Sequence, residues 1–518
     1  MTTPPPPEGW SPAPRPGETP VPRGRPPQLY GPPPPPPPPL FDDAWPEEDV
    51  PTRPALLVGA LAIGVLAGLI LPEHFAVSVA GFLVAAGLLL VPVAFSTHRA
   101  APYTWVAAAL TAALFSLLVF RAAGWLAALA LAVGALLVFS ALNGARTVAD
   151  LGLAALTWII AVFRAVPWVR RTSGEIRRLP VGWPVVRTAA LCVVALVVFG
   201  ALFATGDAVF GSWVQALLPR FDGALLVTRA LVAAAVSVLA VGAFYTAINP
   251  PSPAPAGRSG PRRTPRRFEW LAPLVVVIAM FGGFVAAQAT TMWAGHDYVQ
   301  RTAGVTYAES VHRGFGQLTV ATLLALLVVG VTWWYAPRES AADRLVLSAA
   351  LGVLCSLALV VVASALYRMH VYQQAYGFTV LRLLVDAFEL WMGLLLVLTM
   401  LAVAIRAVAM LPRAALVSAA LVVLGLGVMN PEAWVAQHNV DRYRDSGKID
   451  AAYLSGLGPD ARPAIADGLP ADLARCIVRN RPRASAPIEW NLGRDRAHRS
   501  ALDSARGTGE CTSERAVR

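Results

Sequence analysis

The chain has 518 residues, of which 56% are hydrophobic and only 14% charged, with a formal net charge of +11. A soluble domain carries about 25% charged residues, so the composition excludes an ordinary water-soluble enzyme and points to lipid as the solvent. The positive charge is almost all arginine in loops between apolar runs, where basic residues set orientation and meet anionic headgroups; the expected partner is therefore the lipid bilayer and not nucleic acid.

Residues 1–53 form a low-complexity arm with unbroken proline from Pro32 to Pro39. Proline lacks an amide donor, so this arm builds neither helix nor sheet and is expected to be disordered and cytoplasmic. It reads as a solvated tail, with a ligand for a proline-reading module as the sharper alternative. No compact apolar core with a cleavage site precedes the first apolar run, so that run is expected to serve as the insertion signal.

Eleven apolar runs follow, each near the length needed to cross about 30 Å of hydrocarbon as a helix. They are Ala55 to Leu71, Phe75 to Phe95, Trp105 to Phe120, Trp125 to Leu142, Ala189 to Ala204 and Ala230 to Ile248, then Trp270 to Ala287, Leu318 to Tyr335, Leu345 to Leu366, Phe388 to Ala404 and Ala414 to Met429. The expected fold is an all-α polytopic transmembrane helix bundle. Its first half covers 54–248, a basic Pro-rich cytoplasmic loop 249–269, its second half 270–429, and a small extracytoplasmic helical tail 430–518.

The stretch Leu151 to Phe163 is shorter and ends at Arg164 and Pro167, so it is read as interfacial. With that reading and a cytoplasmic N-terminus, 17 loop arginines lie inside and 7 outside, the distribution that the positive-inside rule favours. The protein is then expected in a bacterial plasma membrane, crossing it many times, with its C-terminus outside. Cys192 and Cys355 fall inside spans, whereas Cys476 and Cys511 share the tail. A lone pair in a small segment on the oxidising side suits a disulfide, Cys476 to Cys511. A reduced pair is the alternative.

Two polar groups stand out in the membrane half. His296 and Asp297 precede Glu309 and His312, and the last two share one helix face at i and i+3. Such a pair occurs in carboxylate-bridged metal sites when a second copy accompanies it; without one, an interfacial helix is the plainer reading. Arg382, Asp386 and Glu389 also line one face, near the outer boundary, where Arg382 is expected to pair with an acid. Together with Arg229 they form either a polar outward vestibule or a structural ion-pair network. No cofactor and no catalytic constellation is expected.

Beyond the last span, Asn430 before Pro431 marks a helix start, and Val435, Asn439, Arg442 and Tyr443 follow at helical spacing. The blocks Tyr307-Ala-Glu with Arg313-Gly-Phe and Gln317-Leu, Ala375-Tyr-Gly with Thr379 and Leu381-Arg382-Leu, and Asn430-Pro-Glu-Ala running to Asp450 and Tyr453-Leu carry a resemblance. Over roughly Trp270 to Ala464 the chain resembles a bacterial polytopic membrane family known as a domain of unknown function, numbered forty-one fifty-three and forty-one seventy-three. That resemblance implies a multi-span membrane protein and assigns no catalytic residue. No nucleotide loop, phosphate-binding glycine motif or nucleophile arrangement is present. The first expectation is therefore a non-enzymatic cell-envelope scaffold, regulator or accessory protein with a membrane or envelope protein partner. A small-solute transporter or channel is second, and an enzyme acting on lipid-linked substrates third.

Overall fold

The computed structural model describes residues 45, 50–74, 76–178, scattered positions between 187 and 207, 223–251, 265–303, 307–478 and 486–500, without the side chains of 155, 177–178, 223, 290–303 and 307–315. By contact, the chain divides into Met1–Asp43, outside the described residues, and Ala44–Arg518. The proline run, most of the expected span at 189–204, most of the basic loop and Cys511 also lie outside them.

Every regular element among the described residues is helical. The chain forms α1 (Pro54–Ile70), α2 (Val79–Val93), α3 (Pro102–Phe120), α4 (Gly124–Leu142), α5 (Val148–Arg178) and α6 (Gly223–Ile248), then α7 (Arg267–Ala303), α8 (Tyr307–Tyr335), α9 (Ala341–Tyr376), α10 (Val380–Ala404) and α11 (Leu411–Met429). The tail adds α12 (Pro431–Ser446), α13 (Ala451–Ser455), α14 (Arg462–Gly468), α15 (Ala471–Ile477) and α16 (Leu492–Arg499). Starts follow local chemistry. The Ser78 hydroxyl accepts from the Ala80 amide at 3.1 Å to cap α2, Pro102 occupies the first turn of α3, and Thr379 accepts from the Arg382 amide at 3.3 Å to cap α10.

Eight described helices are long and apolar enough to cross a membrane, nine if the two parts of α5, Val148–Ala154 and Leu156–Ile176, bent by 53° to each other, count as one span, and α1 and α2 are apolar but shorter, with 17 and 15 residues. Ten of the eleven expected runs therefore coincide with helices. The pairing of α1 with α6 shows what membrane packing requires. Ala60, Gly64 and Gly68 recur every fourth residue on α1, and a Cβ on Gly64 would collide with Ser237, one on Gly68 with the Arg229 carbonyl and Ala233. Small residues let the two backbones approach, the device by which helices associate without a hydrophobic driving force.

Hydrogen bonds sort the connections onto two ends of the bundle. At the first end, the Trp45 indole donates to the Asn249 carbonyl at 2.7 Å, the Thr97 amide to Ala247 at 3.0 Å, and Arg413 Nε to Ala145 at 2.8 Å. The tail sits at the second end, where the Val79 amide donates to Trp490. The start of α1 and the tail thus occupy opposite ends.

Helix α5 is tied to the first end along its length. Asn143 donates to Thr157 at 2.7 Å, Thr52 donates to Glu175, and the Trp168 indole donates to the Pro51 carbonyl at 3.0 Å. A helix crossing the bundle would have one terminus at each end. One face of α5 buries Ala154, Ala161, Ala165 and Trp168, while Leu153, Leu156, Ile159, Phe163 and Val166 are exposed on the other.

The core is not divided into sequential halves. Ala420, Val423 and Leu426 of α11 pack with Leu114, Phe115 and Leu137 of α3 and α4, so the last span closes onto the first-half helices. A second core joins α7, α8, α9 and α10 through Leu274, Val329, Leu354 and Leu396. The tail has its own small core of Val440, Leu454, Ile465 and Ile477.

Candidate functional site

The expected vestibule residues whose side chains are described, Arg229, Arg382, Asp386 and Glu389, each take a different partner. Arg229 forms an ion pair with Glu73, which joins α6 to the turn after α1. Arg382 does not reach the acids on its own helix: its guanidinium donates to the Gly377 and Tyr376 carbonyls and lies 4.5 Å from the centroid of the Tyr372 ring. The end of α9 leaves carbonyls without helical partners, and a cation is well placed to satisfy them. Asp386 instead accepts from Gln373 at 2.6 Å, and the fully buried Glu389 accepts from Thr319 of α8. His296, Asp297, Glu309 and His312 lie on α7 and α8, but their side chains are outside the described residues. Among the described residues, no group of three or more His, Cys, Asp and Glu side chains is arranged to hold a metal ion.

Among the described residues, a dense set of polar contacts lies where the tail meets the second end of the bundle. Asn439 of α12 accepts from the Phe378 amide at 3.1 Å and donates to its carbonyl at 2.8 Å. Tyr453 accepts from the Val380 amide at 2.7 Å, and Arg442 donates to the Ala375 carbonyl at 2.9 Å. The turn between α9 and α10, with Gly377 at φ +87°, is therefore held by three tail side chains. Two of the sequence blocks that carry the family resemblance meet here.

The turn between α3 and α4 is held in the same manner. Asp460 Oδ2 accepts from the amides of Ala122 at 2.7 Å and Ala123 at 3.2 Å, capping the start of α4. Asn491 donates to the carbonyls of Leu118 and Arg121 at 2.9 and 2.8 Å, capping the end of α3. Arg121 in turn donates to the Gly427 and Val428 carbonyls at the end of α11. Each contact supplies a partner to backbone groups that helix geometry leaves unpaired. These residues were not among those singled out in the sequence. The local signal was the turn chemistry of Asn491 ahead of Gly493; the partners more than 300 residues away carried none.

Two buried carboxyls share this junction. Burial pushes Glu432 up to about 7, with the nearby Asp460 charge adding to the rise and contacts with Trp125 and the Gly458 backbone opposing it. Burial also raises Asp460, against the Ala122 amide and the Arg121 charge. Arg121 and Arg494 are both lowered, first by burial. Beside them a cavity of about 240 Å³ opens between the end of α3, the start of α12, and α14 and α16, lined in part by Arg121, Asn430, Asp460, Gly493 and Arg496.

Cys192 and Cys355 are free thiols. Cys476 lies on α15, and Cys511 is outside the described residues, so their pairing stands as a proposal. No curated protein and no solved structure matches the chain. A family model does match, over residues 105–468, which takes in α3 through α14 and all three sequence blocks. The chain belongs to the family described as a domain of unknown function, DUF4153.

Proposed function

We propose that this integral membrane protein is a non-enzymatic scaffold or accessory subunit of the bacterial cell envelope, with its N-terminal arm cytoplasmic and its tail extracytoplasmic. The observation that carries this reading is the attachment of the tail. Two helix-terminus turns, after α3 and after α9, are satisfied by the tail side chains Asn491, Asp460, Asn439, Tyr453 and Arg442. A small domain fixed this way has one orientation, which suits a surface that must be presented to a partner protein. The test is a photocrosslinker at the exposed Lys448 in native membranes. A discrete adduct that disappears in Asp460→Ala, with the variant still membrane-inserted, is the expected result. No adduct in the wild-type protein overturns the reading.

A second reading, transport of a small solute, draws on the fully buried Glu389, whose Oε2 has no hydrogen-bond partner among the described residues. Ionisable groups at this depth commonly mark solute or proton paths. Flux across proteoliposomes that is lost in Glu389→Gln supports transport, and equal flux in wild type, variant and empty vesicles excludes it.

A further inference from the structure

The polar face of α10 ends inside the membrane. Asp386, Glu389, Gly393 and Leu396 follow at helical spacing and so share one face. Asp386 accepts from Gln373 of α9 at 2.6 Å through Oδ2, and Glu389 accepts from Thr319 of α8 through Oε1. That leaves Asp386 Oδ1 and Glu389 Oε2, both shut off from solvent, without a hydrogen-bond donor among the described residues. Glu389 is 0% exposed. It lies about 14 Å along the helix from Val380, near the middle of a hydrocarbon core about 30 Å thick. Among the described residues neither carboxyl has an ion-pair partner. Charges on the surrounding helices are engaged elsewhere: Arg382 with the end of α9, His370 of α9 with Gln374 at 2.9 Å, and Arg413 of α11 with Ala145 at the first end. On α12, Arg442 reaches the Ala375 carbonyl and Glu432 packs on Gly458. The described side chains of α8 include one titratable group, Tyr335, at its far terminus.

Hydrocarbon supplies no water to these oxygens, so the pair needs a cation. The described residues offer no group of three or more His, Cys, Asp and Glu side chains arranged for a metal ion, which favours the smallest cation, the proton. Two carboxyls one helical turn apart suit it, because a proton on either removes the repulsion between like charges. Access is one-sided. Asp386 is half-buried and lies one turn nearer the junction of α9 and α10, at the second end. Beyond Glu389 the face closes: Gly393 packs on Val362 and Leu359 of α9, and Leu396 joins Leu274, Val329 and Leu354 in the second core. We propose that Asp386 and Glu389 together bind a proton inside the membrane, reached from the second end and sealed from the first by this apolar core. Such a site senses protons without conducting them, and it does not depend on solute transport.

The experiment treats the full chain, in an uncharged maltoside detergent, with dicyclohexylcarbodiimide, an apolar reagent that adds to protonated carboxyls, and maps the adducts by peptide mass spectrometry. The wild-type chain carries the main readout. An adduct on Glu389 is expected, with a yield that falls as pH is raised and that is the same in sodium chloride as in choline chloride. The exposed Glu269 is the control and should stay unmodified. Asp386→Asn removes the neighbouring charge and should shift the pH midpoint of the Glu389 yield downward. No adduct on Glu389 at any pH overturns the proposal. So does a yield insensitive to pH, an unmoved midpoint in Asp386→Asn, or protection by sodium, which would mark a metal-cation site. In proteoliposomes under an imposed pH gradient, proton flux should be equal for wild type, Glu389→Gln and empty vesicles. Wild-type flux that is lost in Glu389→Gln would overturn the seal and favour transport.

Discussion

Asn439 engages both backbone groups of Phe378, accepting from its amide and donating to its carbonyl across 61 residues of sequence. One side chain therefore pairs with the turn between α9 and α10 as another strand would. Asn439 is 7% exposed, so water has little access to replace it. Asn439→Ala leaves a buried donor and acceptor unmet, at about 1 to 3 kcal/mol each. The expected outcome is a lower unfolding temperature together with early proteolytic release of the tail. Asn439→Asp keeps the acceptor and loses the donor, so it should fall between wild type and Ala.

Gly493 is required by its contact with Asp460. A Cβ at this position would occupy the space of the Asp460 carboxylate, which must then leave the amides of Ala122 and Ala123. Gly493→Ala and Asp460→Ala should consequently produce the same defect, a tail accessible to protease on an intact bundle. Because both act through one contact, the double variant should be little worse than either single one. Additive losses measured by thermal unfolding would show that Gly493 serves another purpose.

The spans were legible because each is a long apolar run closed by charge, proline or an aromatic residue, and these features depend only on local sequence. The start of α12 was legible for the same reason, from Asn430 and Pro431. Partner choice was not. Spacing on α10 pointed Arg382 toward Asp386, yet the unpaired carbonyls at the end of α9 hold the guanidinium and Gln373 takes the carboxylate. The caps made by Asp460 and Asn491 were invisible for a related reason: they satisfy backbone groups, which every residue carries, at distances no spacing rule reaches.

That exchange of partners yields its own test. If Arg382 acts as a cap for α9 and not as a counter-ion, Arg382→Ala lowers stability by roughly 1.5 to 3 kcal/mol, the cost of a hydrogen bond to a charged group. Adding Asp386→Asn should not restore it. Recovery in the double variant, read from unfolding temperatures in detergent, would restore the ion pair expected from spacing.

Glu432 should make tail docking depend on pH. Its folded value of about 7 lies above the ordinary 4.5. Below about 4.5 the carboxyl is protonated whether docked or not, and it carries no penalty. Between 4.5 and 7 the undocked form ionises while the docked form keeps its proton, so stability falls as pH rises, by about 1.4 kcal/mol per unit. Above 7 the penalty levels at about 3 kcal/mol. Tail release at pH 8 should therefore exceed that at pH 5.5, and Glu432→Gln should flatten the difference. A wild-type profile that rises with pH across this window would contradict the assignment.

The opposite placement of α1's start and the tail makes sidedness testable through one pair of fusions. The first end carries the arginine-rich loops, so it is proposed to be cytoplasmic. Alkaline phosphatase fused after Arg518 should be active and after Pro251 inactive. The same orientation places Cys476 and Cys511 in an oxidising compartment, where a bridge closing about 35 residues stabilises a small domain by roughly 3 to 4 kcal/mol in the chain-entropy model. Non-reducing digestion of protein from native membranes should yield a peptide joining the two positions. Active phosphatase at Arg518 with both thiols free would retain the orientation and remove the disulfide, whereas activity at Pro251 would invert the whole arrangement and put the tail, with its junction cavity, in the cytoplasm.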